Sequence, residues 1–416
     1  TQGGSLVQAD LLDYRREPEA GSPPVRLLST EPARFFVAQT GFVGSRADLP
    51  THLAAFEVAA DSFVLADGED VLDVPLRWQG DGLSLIRTYR FKRGSYEVGV
   101  IDRLDNQGAQ AVSLQPYRQL ARVQPPALPG SSFTNPAAFS FVGAAWFSPQ
   151  TKFDKRVFAD FAEEPLDLAA NEGWVAMLEH YFFAAWIPTT GEPQRFRTIV
   201  DADGKFVIRT LGDVRELAPG AQLDNSARLY VGPKLQDRLE AVAPGLKLTL
   251  DYGVFTILAA PMAAVLGWLH DLTNNWGWAI ILLVVILKLL LFKLSEAQYK
   301  SFAKMRAVQP RIEQLKERYG EDRQKFQTAM MELYKKERIN PMGGCLPILI
   351  QIPIFISLYW VLIEAVELRH APWILWIDNL TAPDPYFILP VLNLLTMWAT
   401  QMLSPTPGMD PMQKRM

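Results

Sequence analysis

Two different hydrophobic patterns divide the chain near residue 251. Before this point, apolar and polar residues alternate in short segments such as Arg87–Phe91 and Tyr96–Val100, which is typical of half-buried β-strands. After it, long and predominantly apolar runs follow one another, at 254–269, 276–292, 346–366 and 386–403. The pattern predicts a multidomain α and β protein: an all-β domain over 1–250, followed by a polytopic α-helical membrane domain.

Turn residues divide the first 250 residues at the spacing of a β-sandwich. Arg93-Gly94 separates two alternating segments and predicts a hairpin. Asp67-Gly68, between Phe63–Leu65 and Val71–Val74, predicts a second one. Further strands are predicted in 35–39, 174–178, 181–187 and 205–209, and a closing helix over 235–242.

The second half is predicted to contain three crossings of the membrane. The predicted elements are an interfacial amphipathic helix with its connector at 251–275, transmembrane helices at 276–293, 342–366 and 386–403, a cytoplasmic helical hairpin at 294–341, a periplasmic loop at 367–385 and the start of a cytoplasmic loop at 404–416. Residues 293–338 carry 12 Lys and Arg, so the positive-inside rule places the hairpin in the cytoplasm.

The run 254–269 decides on which side of the membrane the first domain lies. If both this run and 276–292 cross the bilayer, residues 1–251 are cytoplasmic; if only the second crosses, they are exported. Pro261 inside the run and the short connector 271–275 favour an interfacial helix. An exported domain needs a signal or an anchor, so we expect the given sequence to start after one.

Lys288 is a charge inside the apolar run 276–292. An ionised side chain within hydrocarbon costs at least ~2.5–3.5 kcal/mol, so it is kept where water, a cavity or a partner receives it. One interpretation is a lysine that snorkels to the near interface. The other is a lysine that faces a wet, protein-lined groove. At a rise of ~1.5 Å per residue, Lys288 lies roughly 7–8 Å from the boundary at Lys293.

Polar residues in the other predicted spans reach a similar depth. Gln351 lies roughly 9 Å beyond Cys345 at the same rise. Asn393, Thr396 and Thr400 share one face of the last span. Such residues also join helices in passive bundles. Together with Lys288 they predict a hydrophilic chamber that is open to the cytoplasm.

The predicted hairpin starts at Ser295-Glu-Ala-Gln298, which has the form of a capping box, and turns at Gly320. It is either an ordinary solvated hairpin or a basic arm for the ribosome, a targeting factor or anionic lipids. The basic residues proposed for that role are Lys300, Lys304, Arg306, Arg311, Lys335 and Lys336.

Motifs of conventional catalysis are not found in the sequence. The four histidines, His52, His180, His270 and His370, do not have a metal-binding spacing, and neither a Walker A motif nor a G-x-S-x-G elbow occurs. Cys345 is the single cysteine, which excludes an intrachain disulfide. We therefore expect no enzymatic activity, no cofactor, no metal and no recognition of a specific nucleic-acid sequence.

Several motifs resemble those of the bacterial YidC membrane-protein insertases, in order along the chain. In the second half they are Asn275-Trp-Gly277, Ala297-Gln298-Tyr299, Ala303-Lys-Met-Arg306, Asn340-Pro341-x-Gly343-Gly344-Cys345, Pro347-x-Leu-Ile-Gln351-x-Pro353-Ile-Phe355, Glu367-Leu-Arg369-x-Ala-Pro372, Asp384-Pro385-Tyr386 and Asp410-Pro-Met412. The first half resembles the periplasmic domain of that family through Gly173-Trp174-Val-Ala-Met177, Ala185-Trp186-Ile-Pro188, Gly232-Pro233 and Ala241-Val-Ala-Pro244.

The resemblance implies a multi-pass protein of the bacterial inner membrane with residues 1–250 in the periplasm, folded as a β-supersandwich similar to galactose mutarotases. It implies an insertase and chaperone that acts alone or with the Sec translocon through a cytoplasm-open groove. The basic groove residue maps to Lys288. Members of the family commonly have Arg at this position. Lysine keeps the positive charge but cannot bind a carboxylate through two parallel N–H donors, as an arginine guanidinium does.

The resemblance also implies the partners: nascent membrane proteins, the Sec translocon with its accessory subunits, the ribosome and targeting factors. A first span before Thr1 and two further spans after Met416 are expected from the family. Two alternatives remain at this point. One is a membrane-tethered carbohydrate-binding or carbohydrate-active protein, which rests on fold alone. The other is a transporter in which Lys288 is an ion or substrate site.

Overall fold

A computed structural model of the chain describes residues 1–19, 21–126, 140–319, 322–337 and 346–403, with the backbone alone for Phe302, Arg306, Arg323 and Leu403. The chain divides into two compact units. The first contains Thr1–Asp251 together with the short segment Ile363–Glu367, and the second contains Tyr252–Leu362 and Leu368–Met416.

Within the described residues, the larger sheet of the first unit has nine strands. In spatial order they are β10 (Lys152–Val157), β9 (Gly143–Ser148), β12 (Trp174–Leu178), β13 (Phe182–Pro188), β17 (Gln222–Pro233), β7 (Glu97–Asn106), β6 (Leu83–Lys92), β5 (Val71–Gly80) and β4 (Glu57–Val58). Each neighbouring pair is antiparallel. Hairpins and returning strands therefore build the whole sheet, as the short, turn-bounded segments of the sequence predict.

The second sheet has six strands. They are β11 (Asp167–Ala170), β14 (Gln194–Val200), β15 (Phe206–Gly212), β8 (Val112–Arg122) and β16 (Arg215–Leu217), with β3 (Phe36–Gly44) also paired to β8. A separate hairpin joins β1 (Ala9–Arg15) and β2 (Pro24–Leu28). These sheets are also antiparallel throughout.

The core of the first unit contains side chains from both sheets. Trp186 of β13 and Phe196 of β14 are fully buried in one continuous cluster. The Trp186 indole N–H also donates a 3.0 Å hydrogen bond to the Gln119 carbonyl on β8, so the indole satisfies its donor on the opposite sheet. The predicted fold class, a β-sandwich followed by a helical membrane domain, is confirmed.

Two local predictions in this unit need correction. Asp67-Gly68 does form a turn, with Gly68 at φ 86°, but Phe63–Leu65 is not a strand; β5 pairs instead with β6 and with Glu57–Val58. The three residues Phe63–Leu65 would form too few hydrogen bonds with β5 to compete with the long β5–β6 pairing. The predicted closing helix over 235–242 shortens to one turn, α1 (Leu239–Val242).

The second unit is helical. Its helices are α2 (Thr256–Thr273), α3 (Trp276–Leu290), α4 (Phe292–Tyr319), α5 (Arg323–Lys336), α6 (Leu346–Glu364) and α7 (Ile388–Leu403). By length and composition, Gly253–Thr273 and Leu346–Glu364 can each cross a membrane, and α3 with Phe292–Met305 can do so if the two form one span with a bend of 60°. Ile388–Met402 is a shorter apolar helix.

The predicted capping box at Ser295 is wrong. Helix α4 begins at Phe292, three residues earlier, and the Ser295 N–H already donates to the Leu291 carbonyl. No glycine or proline separates the apolar run from the hairpin, so the helix resumes directly after the bend at Leu291. Gly343-Gly344, Cys345 and the predicted loop at 404–416 lie outside the described residues.

Candidate functional site

Lys288 lies in the last turn of α3, where its positive charge interacts favourably with the helix dipole. Its Nζ is 5.1 Å from the centroid of the Phe355 ring on α6. This is a cation–π distance, and the Lys288 side chain is otherwise exposed. Among the described residues no carboxylate lies within ion-pair distance of Lys288. The ammonium is therefore held by an aromatic face and not neutralised by an acid.

Gln351 lies one helical turn before Phe355, on the same face of α6. Its Nε2 is 3.4 Å from Ser295 Oγ on α4, which is the long end of the hydrogen-bond range. Helices α3 and α4 thus meet neighbouring turns of α6 through Lys288 and Ser295. Two of the predicted groove residues, Lys288 and Gln351, are brought to one place, and Ser295 and Phe355 join them.

Asn393, Thr396 and Thr400 follow one another along α7 and are exposed. The Thr396 hydroxyl donates 2.8 Å to the Asn393 carbonyl, and the Thr400 hydroxyl donates to the Thr396 carbonyl. Both hydroxyls are thus satisfied within their own helix. Over the described part of the chain, no hydrogen bond joins these three residues to Lys288 or Gln351, so the structure does not bring the five predicted residues together.

The predicted basic residues of the hairpin fall into two groups. Lys300 pairs with Glu296 at 2.7 Å within α4, and Arg311 Nη1 lies 2.5 Å from Glu337 Oε1, just after α5. The second pair connects the two helices of the predicted hairpin. Lys304, Lys335 and Lys336 are exposed, and no ion pair to them is found in the described residues. The Arg306 side chain lies outside the described residues.

A tight contact fixes the start of α3. Asn275 accepts the Trp278 N–H at 3.2 Å as the N-cap and donates 3.0 Å to the Trp373 carbonyl. A Cβ on Gly277 would lie 2.1 Å from Trp373 Cδ1, so only glycine allows this indole to pack there. Asn275 and Gly277 belong to the quoted motifs, but the sequence does not reveal their common partner.

A buried charge cluster in the first unit was missed by the sequence reasoning. Lys234 and Glu364 are each 1% exposed, and Lys234 Nζ lies 3.6 Å from Glu364 Oε2. Ser140 Oγ donates a 2.8 Å hydrogen bond to Glu364 Oε1, and His180 Nε2 is 2.9 Å from the Ile363 carbonyl. The sequence contained one signal for this cluster: Glu364 is a single carboxylate at the end of an otherwise uncharged apolar run.

Burial controls the ionisation of the basic members of this cluster. It lowers the pKa of the Lys234 ammonium, and the Glu364 carboxylate opposes that effect. Burial also lowers the pKa of His180 to about 4, with the positive Lys234 acting in the same direction. His180 is therefore neutral near pH 7, and its proton affinity depends on the folded state.

Comparison with known proteins agrees with this architecture. A family model described as "YidC periplasmic domain" matches residues 1–265, and one described as "60Kd inner membrane protein" matches residues 268–416. The chain is thus an inner-membrane protein with a periplasmic β-domain and helices that can span the membrane. The predicted localisation is confirmed.

Two relatives that match over the whole of this chain carry the same name. "Membrane protein insertase YidC" of Stenotrophomonas maltophilia (strain K279a) is 48% identical over 423 residues, covering 100% of this chain and 74% of the relative. The protein of that name from Methylococcus capsulatus is 45% identical over 417 residues, covering 100% and 75%. The chain belongs to the YidC family of membrane protein insertases, as its motifs predicted.

The solved structures to which the chain is similar include a galactose mutarotase-like protein from Lactobacillus casei. It is 9% identical, covers 47% of this chain and 85% of its own chain, and has a TM-score of 0.33. A galactose mutarotase related enzyme from Lactobacillus acidophilus is 11% identical, covers 47% and 82%, and has a TM-score of 0.31.

Proposed function

We propose that this chain inserts membrane proteins through a hydrophilic groove in which Lys288 attracts the polar tail of a substrate. The observation that carries the proposal is the contact of the Lys288 ammonium with Phe355, with Gln351 one turn away on the same helix. Because no described carboxylate neutralises Lys288, its charge is available to an acidic segment that passes. Membership of the insertase family supports the same role.

A hydrophilic groove reduces the barrier that such a segment meets. A polar tail in the groove has less hydrocarbon to cross, and the charge of Lys288 lowers the cost further. The apolar segment of the substrate leaves sideways into lipid, driven by its own hydrophobicity.

The topology of the proposal has α2 lying along the periplasmic membrane surface. A periplasmic first domain and a cytoplasmic basic hairpin require an odd number of crossings between them, and α3 supplies one. Helix α2 is also long enough to span. If it crossed as well, the first domain and the basic hairpin would lie on the same side of the membrane. Helix α6 then runs outward to the periplasmic loop 367–385, and α7 returns to the cytoplasm.

The hairpin of α4 and α5 is the proposed receiving arm. Its exposed Lys304, Lys335 and Lys336 suit the negatively charged surfaces of ribosomes, targeting factors and anionic lipids. The same proposal includes nascent membrane proteins as substrates and cooperation with the Sec translocon and its accessory subunits. It requires no cofactor and no metal.

Charge reversal at Lys288 tests the proposal. Lys288→Glu is expected to slow the insertion of a substrate with an acidic translocated tail, since the site would then repel it, whereas Lys288→Arg keeps the rate. Lys293→Glu is the matched control, because Lys293 has the same charge but lies in the exposed first turn of α4, with Glu296 3.3 Å away. Wild-type insertion by Lys288→Glu would contradict the attraction by charge.

A further inference from the structure

One face of the six-stranded sheet points away from the core and carries a row of polar residues. The strand register places one residue from each of five strands side by side: Gln39 of β3, Gln119 of β8, Arg209 of β15, Arg197 of β14 and Asp167 of β11. The strand neighbours Ile208 and Phe196 belong to the core. Since side chains alternate between the two faces of a sheet, the row lies on the outer face. Neighbouring members of the row are about 4.8 Å apart.

Two arginines of this row lie directly opposite each other, Arg197 and Arg209. Like charges at such a cross-strand pair are destabilising. Asp167 compensates the charge of Arg197, whose Nη2 donates 3.0 Å to Asp167 Oδ2, but it is shared with Arg195 Nε, which donates to Oδ1. Over the described ranges, no carboxylate lies within ion-pair distance of Arg209. This part of the face therefore has an excess of positive charge.

The Arg209 side chain is half-buried and held against an aromatic ring. Its Cζ is 5.9 Å from the centroid of the Tyr117 ring, which is within cation–π distance. Tyr117 is itself 3% exposed, and its hydroxyl accepts the His52 N–H at 2.9 Å. Burial lowers the pKa of the Arg209 guanidinium, and the positive charge of Arg197 acts in the same direction. This cation is poorly stabilised by its surroundings, so an anion gains more here than at a fully solvated arginine.

Hydrogen-bonding groups in the row are also left without partners. In the part of the chain that the structure describes, the Arg209 guanidinium donates no hydrogen bond, and its Nε is buried. Gln119 Nε2 donates 2.7 Å to Gln39 Oε1, but Gln119 Oε1 is buried and accepts no hydrogen bond from a described residue. Buried polar groups normally have a partner, so each exception requires an explanation. Together these groups offer a fork of donors next to one acceptor.

We propose that this outer row is a binding site for a carboxylate, with Arg209 as the principal contact and Arg197 beside it. A guanidinium can hold both oxygens of a carboxylate through parallel N–H donors. The same sheet already contains a related arrangement, because the Asp167 carboxylate bridges Arg195 and Arg197. Gln119 Oε1 suits a ligand that carries an N–H close to its carboxylate, and it disfavours the greater negative charge of a phosphate. The end of a peptide chain has this chemistry, and a small organic acid shares the carboxylate.

Ligand titration of the full chain in detergent tests this site. One probe is N-acetylglycine, which has a carboxylate next to an amide N–H. The other is N-acetylglycinamide, which has nearly the same shape without the charge. Saturation-transfer NMR at increasing probe concentration gives the dissociation constant of each probe. N-acetylglycine should bind, and N-acetylglycinamide should not.

Two further probes define the ligand. Acetate lacks the N–H, so weaker binding of acetate than of N-acetylglycine indicates the end of a peptide chain, whereas equal binding indicates a small organic acid. Inorganic phosphate is added as a competitor at constant ionic strength. It should displace N-acetylglycine less effectively than an equal concentration of acetate does.

Substitution of Arg209 tests whether the probe binds at this row. Arg209→Gln is expected to raise the dissociation constant of N-acetylglycine by about 10- to 100-fold, because hydrogen bonds between charged groups are lost. Arg209→Lys keeps the charge but not the fork, and its dissociation constant should lie between the two. Arg103→Gln is the matched control, since Arg103 is also an arginine on a strand, with Asp224 3.2 Å away, but lies in the nine-stranded sheet. It should leave the dissociation constant unchanged.

Thermal unfolding of the same variants without ligand separates binding from a structural role. Arg209→Gln should unfold close to the wild-type temperature or above it, because the contact between like charges at Arg197 and Arg209 is removed. A clearly lower unfolding temperature would show that the fold itself requires this arginine, which would overturn the inference.

Three binding results would also overturn it. They are equal affinity for N-acetylglycine and N-acetylglycinamide (absence of binding by both included), stronger competition by phosphate than by acetate, and equal effects of Arg209→Gln and Arg103→Gln. The inference concerns the β-domain alone and holds whether or not Lys288 meets a substrate. None of its tests is an insertion assay, so its failure is distinguishable from failure of the proposed groove.

Discussion

The Lys288 ammonium lies 5.1 Å from the centroid of the Phe355 ring, which connects the end of α3 to the middle of α6. An aromatic face attracts a cation without neutralising it, so the charge stays available to another anion. A carboxylate in the place of Phe355 would hold the lysine more firmly but would also remove its attraction for a substrate. The contact thus suits a residue that must bind weakly and release.

Replacing the ring tests this contact. Phe355→Leu keeps an apolar residue but removes the aromatic face, and a cation–π contact is worth about 0.5–2 kcal/mol. We expect insertion of an acidic-tailed substrate to slow by roughly 2- to 30-fold, which is that energy expressed as a rate. Phe355→Trp retains the face and should stay near wild type. Equal rates for the leucine and tryptophan variants would show that the ring has no such role.

Gly277 is predicted to tolerate no side chain. A methyl group there would lie 2.1 Å from Trp373 Cδ1, and overpacking of this kind costs typically about 1–3 kcal/mol. Gly277→Ala should therefore lower the unfolding temperature measured in detergent. Gly267→Ala is the matched control, because it is also in an apolar helix but has no atom within 4 Å of its Cβ. If both variants unfold alike, the packing of Trp373 on Gly277 is not as described.

His180 should make the first unit less stable in mild acid. Its folded pKa is lowered to about 4 by burial, from an unfolded value of 6.5. Between these values the unfolded chain binds a proton that the folded chain does not, so stability is complete above pH 6.5 and is lost as the pH falls toward 4. The loss per pH unit is at most about 1.4 kcal/mol.

The measurement is denaturant unfolding of wild type and His180→Gln between pH 8 and pH 4. The glutamine variant cannot titrate, so the difference in unfolding free energy between the two proteins should be flat above pH 6.5 and should change below it. A difference that stays constant from pH 8 to pH 4 would contradict the lowered pKa of His180.

The exposed lysines of the hairpin should carry electrostatic binding. We expect the triple variant Lys304→Gln/Lys335→Gln/Lys336→Gln to bind ribosomes or anionic vesicles much more weakly, by about 1 kcal/mol for each lysine at a lipid surface. Lys300→Gln/Arg311→Gln should lose less, because those charges already pair with Glu296 and Glu337. Binding by co-sedimentation at two salt concentrations checks this. Equal losses in both variants would show that ion pairing does not determine which lysines bind.

Local signals in the sequence were sufficient for much of the fold. The β6–β7 hairpin follows from alternation on both sides of Gly94, which has φ 68° as the turn requires. The helical spans follow from their apolar length. Phe63–Leu65 was mistaken for a strand because its local composition fits one, whereas pairing with β6 determines which residues form β5. Local composition carries no information on that choice.

The candidate site could be predicted in part. Lys288 and Gln351 were found because a polar group in a long apolar run is costly wherever it lies. Phe355, Ser295 and the partner of Gly277 were not identified as site residues, because their roles depend on a neighbouring helix. The pairing of Glu364 with Lys234 was the hardest contact to predict. The two residues are 130 positions apart, and the sequence places them in different predicted domains.

Photo-crosslinking near Lys288 tests the central claim most directly. A photoreactive residue replaces Val284, one turn before Lys288 on α3, which leaves the lysine in place. Ile286, two residues before Lys288 and therefore roughly 200° around the helix, is the control position. With a stalled nascent membrane protein, position 284 should crosslink to the polar tail of the substrate, and Lys288→Glu should strongly reduce the yield. Equal yields from 284 and 286, unaffected by Lys288→Glu, would contradict a substrate groove at Lys288.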